Sequence, residues 1–224
     1  MRPGDLGAGE ALNTPSDGGS LSYGRRTARL YESSVAAVTF GRYRPFLARE
    51  VVRLGLGPAD RILDLCCGTG LLSRELARRI GPDGEVVGVD ASEAMLEQAR
   101  RAGGRVVYVR AEADSLPLPD GHFDGATIFL GLHEITQAAR LPALREVRRV
   151  LRPSGRGLVL DFASGGPALR RGAVRLALSA LEGPEAGTIT EPGLSVLLSQ
   201  AGLRPERPRP VFLGVLEVVG FARP

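Results

Sequence analysis

Apolar and polar positions divide the chain into short runs of two kinds. Helical spacing comes first: Leu30, Tyr31, Val35 and Val38 share a face over 26–38, and Phe46, Leu47, Val51 and Val52 form a stripe over 45–54. Gly55 and Gly57-Pro58 stop the second of these helices. Ile62, Leu63 and Leu65 then make a compact apolar run of the kind that fills a strand buried on both faces, with Asp64 interrupting it. Leu72, Leu76 and Ile80 restore the helical period at once, and Gly81-Pro82-Asp83-Gly84 marks a turn. A second strand is predicted over 85–89, ending in Asp90. A helix follows over 92–101, with Ser92 as N-cap and Met95, Leu96 and Ala99 facing inward. Two glycines lead to a third strand over 105–109, and a polar, Pro-rich loop over 112–121 leads to a fourth over 123–130. A helix over 142–151 is ended by Pro153-Ser154-Gly155, and a fifth strand covers 156–162.

Strands alternating with helices of this length predict a parallel sheet with right-handed crossovers and helices on both faces. Past Ala163 the rhythm changes. An amphipathic stretch over 168–181 carries Arg170, Arg171 and Arg175 on its wet side, and a short helix is predicted over 192–201. Segments 203–207 and 211–222, separated by Pro208 and Pro210, are expected to pair as a final antiparallel hairpin. Residues 1–22, rich in Gly, Ser, Asp and Pro, read as a disordered tail, and 23–224 as a single domain without repeats or a dividing linker.

Composition narrows the class. A chain of 224 residues, 43% hydrophobic and 24% charged, is large enough for one full core and reads as soluble and globular. All 29 basic residues are Arg and they are spread along the chain, with a net charge of only +4, so no nucleic-acid partner is expected. The two cysteines, Cys66 and Cys67, are adjacent. Chain neighbours are too close for an ordinary disulfide, and two lone cysteines cannot complete a zinc site, so no metal is expected. No run approaches the ~20 apolar residues of a membrane span, the N-terminus has no apolar signal core, and the cytoplasm is the expected compartment.

The chemistry concentrates at 61–70. Gly68 and Gly70 bracket Thr69 between a buried strand and a helix, the layout that brings a ligand against bare backbone at the mouth of an α/β sheet. Ser73 stands where a dinucleotide fingerprint would have its third glycine, and the Lys of a phosphate-binding loop is missing, so phosphate binding loses ground. Asp90, 20 residues beyond Gly70, suits a carboxylate that holds two ribose hydroxyls, and equally a helix-capping Asp in a βα loop.

Taken together, these stretches resemble the class I S-adenosylmethionine-dependent methyltransferases. Leu-Asp-Leu-Cys-Cys-Gly-Thr-Gly at 63–70 is similar to that family's first motif, and Val-Gly-Val-Asp-Ala-Ser-Glu-Ala-Met-Leu at 87–96 to its second. Glu112-Ala113, with 116–120 and Phe123-Asp124, is similar to the third, and 150–155 to the approach to its last core strand. Within the family, Tyr31-Glu32, Phe40-Gly41, Arg44, Gly131-Leu132 and 158–162 resemble most the C-methyltransferases of ubiquinone and menaquinone biosynthesis. Two departures stand out. His133-Glu134 occupy the place where those enzymes usually carry Arg-Asn, and the segment after Ala163 is shorter and lacks their tyrosines.

The resemblance implies a Rossmann-like, doubly wound α/β sheet of seven strands in the order 3-2-1-4-5-7-6, the last antiparallel. It implies N-terminal helices over 23–57, a cofactor-binding core over 58–163, and substrate-side helices with a hairpin over 164–224. It also implies S-adenosylmethionine as cofactor and S-adenosylhomocysteine as product. Gly68 and Gly70 would let the amino acid end of the cofactor lie on backbone, and Asp64 would attract its ammonium group, directly or through water. Asp90 would accept both ribose hydroxyls. Ala91 and Met95 would sandwich the adenine, while the Glu112 carboxylate and the Ala113 N–H would meet its polar edge. Cys66 and Leu130 complete the expected cofactor set.

Methyl transfer from a sulfonium is an in-line displacement, so alignment and exclusion of water are the protein's main task. A phenolic or quinol acceptor gains from a base. His133 is the candidate, its alternative being a loop histidine bonded to backbone; Tyr31, Arg44 and His133 are expected to line the acceptor pocket. The implied partner is a small, mostly apolar acceptor bound by a monomer or homodimer. Two alternatives remain: N-methylation of a lipid headgroup or amine, with 168–181 in peripheral contact with a membrane, and a non-catalytic cofactor-binding regulator.

Overall fold

The computed structural model describes residues 41–163 and 193–224. The tail over 1–22 and the predicted helices over 26–38 and 168–181 lie outside the described residues.

Helix α1 (Tyr43–Leu54) buries Phe46, Leu47, Val51 and Leu54 on one side, and it ends where Gly55 takes up the left-handed conformation (φ 65°) and its N–H bonds to Val52. Strand β1 (Arg61–Leu65) is buried from Ile62 onward. Its alternation is informative: Leu63 and Leu65 join one apolar layer, while Ile62 joins the other. Asp64 therefore points to the same side as Ile62, toward helix α2 (Leu71–Arg79). Strand β2 (Glu85–Asp90), helix α3 (Glu93–Arg101) and strand β3 (Val107–Arg110) follow. Ser92 caps α3 as expected, its Oγ accepting from the Met95 N–H at 3.4 Å.

Strand β4 (Phe123–Phe129) is followed by helix α4 (Gln137–Val150). This helix starts earlier than the expected position 142, so Pro142 lies inside it and one backbone bond of the helix is not made. Strand β5 (Leu151–Phe162) begins directly at the end of α4. Leu151 pairs with Phe123 and Arg156 with Gly125, so Pro153-Ser154-Gly155 bulges out of the pair, with Ser154 at φ +63°. Sequence signals for a turn were present there, but the strand resumes pairing on both sides of it.

The remaining elements are α5 (Leu194–Gln200), β6 (Arg204–Pro205), β7 (Arg209–Val211), a 3-10 turn (Phe212–Gly214) and β8 (Leu216–Ala222). The sheet runs β3-β2-β1-β4-β5-β8-β6, with β7 also on β8. Neighbours from β3 to β5 are parallel, and β8 is antiparallel to β5. The expected seven strands are eight by count because the edge strand is split. Pro205 faces Phe221 and Arg209 faces Val218, so four steps on the edge match three on β8. The Glu206 N–H still reaches the Gly220 carbonyl at 2.7 Å. Pro208 has no N–H to offer, and the bulge forms around it.

Two apolar layers sandwich the sheet. On one face Leu63, Val87, Ile128 and Val159 meet Leu144 and Val147 of α4 and Leu197 and Leu198 of α5. On the other, Ile62, Phe129, Leu158 and Leu160 meet α1 and α2. The parallel strands consequently deliver all their carboxyl ends to one rim, where the chain turns at 66–70, 90–92, 111–113, 130–135 and 161–163. Among the described residues, no helix is long and apolar enough to cross a membrane.

Candidate active site

At the end of β1 the chain enters the left-handed region three times within five residues: Cys66 (φ 57°), Gly68 (φ 53°) and Gly70 (φ 72°). The turn is tied down by the Cys67 N–H on the Val89 carbonyl (3.0 Å) and the Gly70 N–H on the Cys67 carbonyl (2.9 Å). A β-carbon at Gly68 would meet nothing within 4 Å, so the backbone there faces open space. At Gly70 a β-carbon would collide with the hydroxyl and ring of Tyr108, whose Cζ lies 2.8 Å away. Tyr108 also packs on Gly88, closing the turn from the β3 side.

Asp90 stands beside this turn. Its Oδ2 accepts the Gly68 N–H at 2.8 Å and its Oδ1 the Ser92 N–H at 2.9 Å. Burial raises its carboxyl above the ordinary range in spite of both bonds. Each oxygen keeps a further lone pair, so the carboxylate can still accept two hydroxyls.

Asp64 is more deeply placed, 1% exposed. Ser73 Oγ donates to its Oδ2 at 2.5 Å and Thr127 Oγ1 to its Oδ1 at 2.8 Å. Burial pushes its carboxyl up to about 6, the two hydroxyls opposing the rise. It lies beneath the turn, joining β1, β4 and α2.

The other predicted cofactor residues line the rim at different depths. Ala91 is half-buried, and Met95 is buried on the first turn of α3. Glu112 and Ala113 are half-buried, with the Glu112 carboxyl raised by burial and by Asp114. Leu130 leaves β4 in the left-handed region (φ 55°) and its N–H bonds to the Leu160 carbonyl. Next to it, a β-carbon at Gly131 would strike Cys66, so the ends of β1 and β4 touch at Cys66. Burial and nearby carboxylates push the Cys66 and Cys67 thiols well up, which makes both neutral.

His133 lies just beyond β4 and is buried, 8% exposed. Its Nδ1 sits 2.9 Å from Asp161 Oδ1, and its Nε2 lies 3.9 Å from Glu134 Oε1. The edge of the Phe162 ring holds the imidazole at 4.9 Å. Arg44 is exposed on the first turn of α1, and Tyr31 lies outside the described residues. In this part of the site, sequence reasoning missed Tyr43. Burial and the carboxylates of Asp64 and Asp161 raise its hydroxyl well above its usual range, which sets it in the field of both. Ser73, Thr127, Tyr108 and Arg140 also went unassigned; only Ser73 carried a signal, standing where a third glycine was sought.

Residues 62–155 match the family model described as a methyltransferase domain. The chain is 44% identical over 145 residues to the ubiquinone/menaquinone biosynthesis C-methyltransferase UbiE of Ectopseudomonas mendocina, a match covering 62% of this chain and 56% of that one. It is 37% identical over 143 residues to the 2-phytyl-1,4-naphtoquinone methyltransferase of Trichormus variabilis, covering 61% and 62%. The matches thus span less than two thirds of these relatives' lengths. Among solved structures, a SAM-dependent methyltransferase from Aquifex aeolicus shares the fold with a TM-score of 0.70 at 20% identity, over 91% of this chain and 100% of that one. Residues 62–155 thus match a methyltransferase domain, and the fold is the one solved for the Aquifex aeolicus SAM-dependent methyltransferase. The chain is similar to the quinone C-methyltransferases of the ubiquinone and menaquinone type.

Proposed function

We propose that this protein transfers a methyl group from S-adenosylmethionine to a small, mostly apolar acceptor of the phenol or quinol type, in the cytoplasm. The observation that carries the reading is His133: a buried imidazole, bonded to a carboxylate, just past β4 on the same rim as the glycine turn. The names of the relatives support a quinone-like acceptor.

The open backbone at Gly68 and the poised Asp90 carboxylate suit the cofactor's amino acid end and its ribose. Ala91 and Met95 would flank the adenine, with Glu112 and the Ala113 N–H at its polar edge. Asp64, under the turn, would attract the ammonium group through the layer of Ser73 and Thr127, and Cys66 and Leu130 would form the floor between β1 and β4. Tyr31 and Arg44 belong to the acceptor side of this proposal. The bound cofactor supplies an electrophilic methyl group. His133 takes the acceptor's hydroxyl proton, which turns a weak nucleophile into a strong one.

Calorimetric titration with S-adenosylmethionine and S-adenosylhomocysteine, beside Asp90→Ala, tests the first half. The variant should bind about 2–3 kcal/mol more weakly, on the order of 30- to 150-fold, as for lost hydrogen bonds to a charged group. A screen of simple hydroquinones and phenols tests the second half: His133→Gln should keep cofactor affinity and lose transfer. Absent cofactor binding, or transfer by His133→Gln at the wild-type rate, would overturn the reading.

A further inference from the structure

Resting on that reading, we infer that Asp161 is the positioning residue that fixes the tautomer of His133, leaving Nε2 as the proton acceptor, and that Arg140 holds this pair in register. Asp161 is the penultimate residue of β5, 2% exposed. Three donors surround its two oxygens. Oδ1 accepts the Phe162 N–H at 2.8 Å and faces His133 Nδ1 at 2.9 Å, while Oδ2 accepts the backbone N–H of His133 at 3.2 Å. A carboxylate has only acceptors, so His133 Nδ1 must carry its hydrogen, and Nε2 of a neutral ring is then the unprotonated nitrogen.

The carboxylate thus grips both the backbone and the ring of one residue. The loop is gripped from the other side as well. The Arg140 side chain, in the first turns of α4, donates from Nε to the Ile135 carbonyl at 3.1 Å and from Nη2 to the His133 carbonyl at 3.3 Å. Its guanidinium is largely buried and feels the charge of Asp161.

Proton transfer balances locally. As the acceptor's O–H bond breaks, an N–H bond forms at Nε2, and the positive charge on the ring is met by Asp161 at Nδ1 and by Glu134 at 3.9 Å from Nε2. Arg140, from α4, acts in the opposite sense, and the Tyr43 hydroxyl, from α1, stays neutral in the field of Asp161. An Ala at 161 removes the acceptor from all three donors, whereas an Asn could keep its one oxygen on the Phe162 N–H and His133 Nδ1 and so preserve the tautomer.

The test reads the imidazole itself. The chain has only two histidines, so 15N-labelled full-length protein gives two ring systems, and His122→Gln assigns them. The neutral His133 ring is expected to show a protonated Nδ1 and an unprotonated Nε2. In Asp161→Ala the population should move to the other tautomer and the ring should titrate at lower pH, with His122 unmoved; Asp161→Glu should restore part of the wild-type signature. A wild-type ring protonated at Nε2, or a signature unchanged in Asp161→Ala, overturns the inference, and the first outcome needs no variant to fold. The expected tautomer in a protein that methylates no phenol would instead refute the proposed function and leave the role of Asp161 standing.

Discussion

Replacing Asp64 by Asn tests whether a charge is held under the glycine turn at a cost to the fold. The carboxyl titrates near about 6 in the folded chain against 3.8 unfolded, chiefly because burial disfavours the charged form. Ionising it therefore costs on the order of 3 kcal/mol more in the fold than in the open chain. The sign follows from the raised folded value. This contribution to stability is fully present below about pH 3.8 and is lost as the pH rises through about 6. Asn is nearly isosteric with the protonated acid, and the hydroxyls of Ser73 and Thr127 can turn to suit it, so near pH 4.5, where about 1 kcal/mol of the contribution is already lost, the two proteins should differ by only about 1 kcal/mol. Near pH 8 the variant should be more stable by about 2–3 kcal/mol. With no Trp in the chain, urea unfolding of the cofactor-free protein is best followed by circular dichroism. Comparing variant with wild type at each pH removes the other titrating groups. A gap that stays constant between the two pH values, or that favours wild type at the higher one, would refute the reasoning. A variant that is more stable but binds S-adenosylmethionine less well would identify Asp64 as a functional residue kept at the expense of stability.

Gly70→Ala puts a β-carbon into a left-handed position (φ 72°) against the Tyr108 ring, so unfolding should be easier by at least 1–2 kcal/mol, roughly the left-handed strain alone; Tyr108→Leu in the same chain should recover part of the loss, and an unchanged midpoint would contradict the packing described. Arg209→Ala removes the partner 2.5 Å from the fully buried Glu50, leaving Arg49 at 3.6 Å and Arg53 at 3.8 Å. It should cost about 3 kcal/mol in urea unfolding while Arg49→Ala and Arg53→Ala each cost under about 1, and equal small losses from all three would show that Glu50 is not held by β7.

Legibility from sequence followed the range of the interactions. The Ser92 cap, the stop at Gly55 and the order of strands and helices depend on neighbours a few residues away and stand as read, while the helix after β4 starts at Gln137 and not at 142. Bulges were less legible. The edge lane contains a residue too many around Pro208, and β5 carries an extra loop at Ser154; in both cases prolines and glycines announced a break, but only the pairing partner decides whether the strand continues past it. The candidate site divides in the same way. Gly68, Gly70 and Asp90 are marked by local spacing. Thr127 meets Asp64 across 63 residues, and Tyr108 reaches Gly70 from β3, so nothing near either residue in the sequence points to its role. Asp161 stands near the end of an apolar strand, but its bond to His133 depends on β4 and β5 being neighbours in the sheet.

The charges on the rim separate it into halves that suit opposite partners. At the ends of β1 and β2 and just past β3, Asp64, Asp90 and Glu112 all have carboxyls pushed above the ordinary range, Glu112 in spite of the nearby Arg110. A carboxyl in that state is relieved by a cation, and an anionic ligand such as a dinucleotide pyrophosphate would deepen the penalty. Past β4 and β5 the arrangement differs. Asp161 is already met by three donors and by the charge of Arg140, and His133 stands between Asp161 and Glu134 with its ring fixed. That half gains nothing from binding an ion, but it can receive a proton and hold it. A sulfonium donor on the first side and a neutral hydroxyl-bearing acceptor on the second satisfy both halves together. An amine acceptor, which needs less base assistance, would leave the buried His133–Asp161 pair with little to do, and on that ground the phenol or quinol reading is preferred over N-methylation.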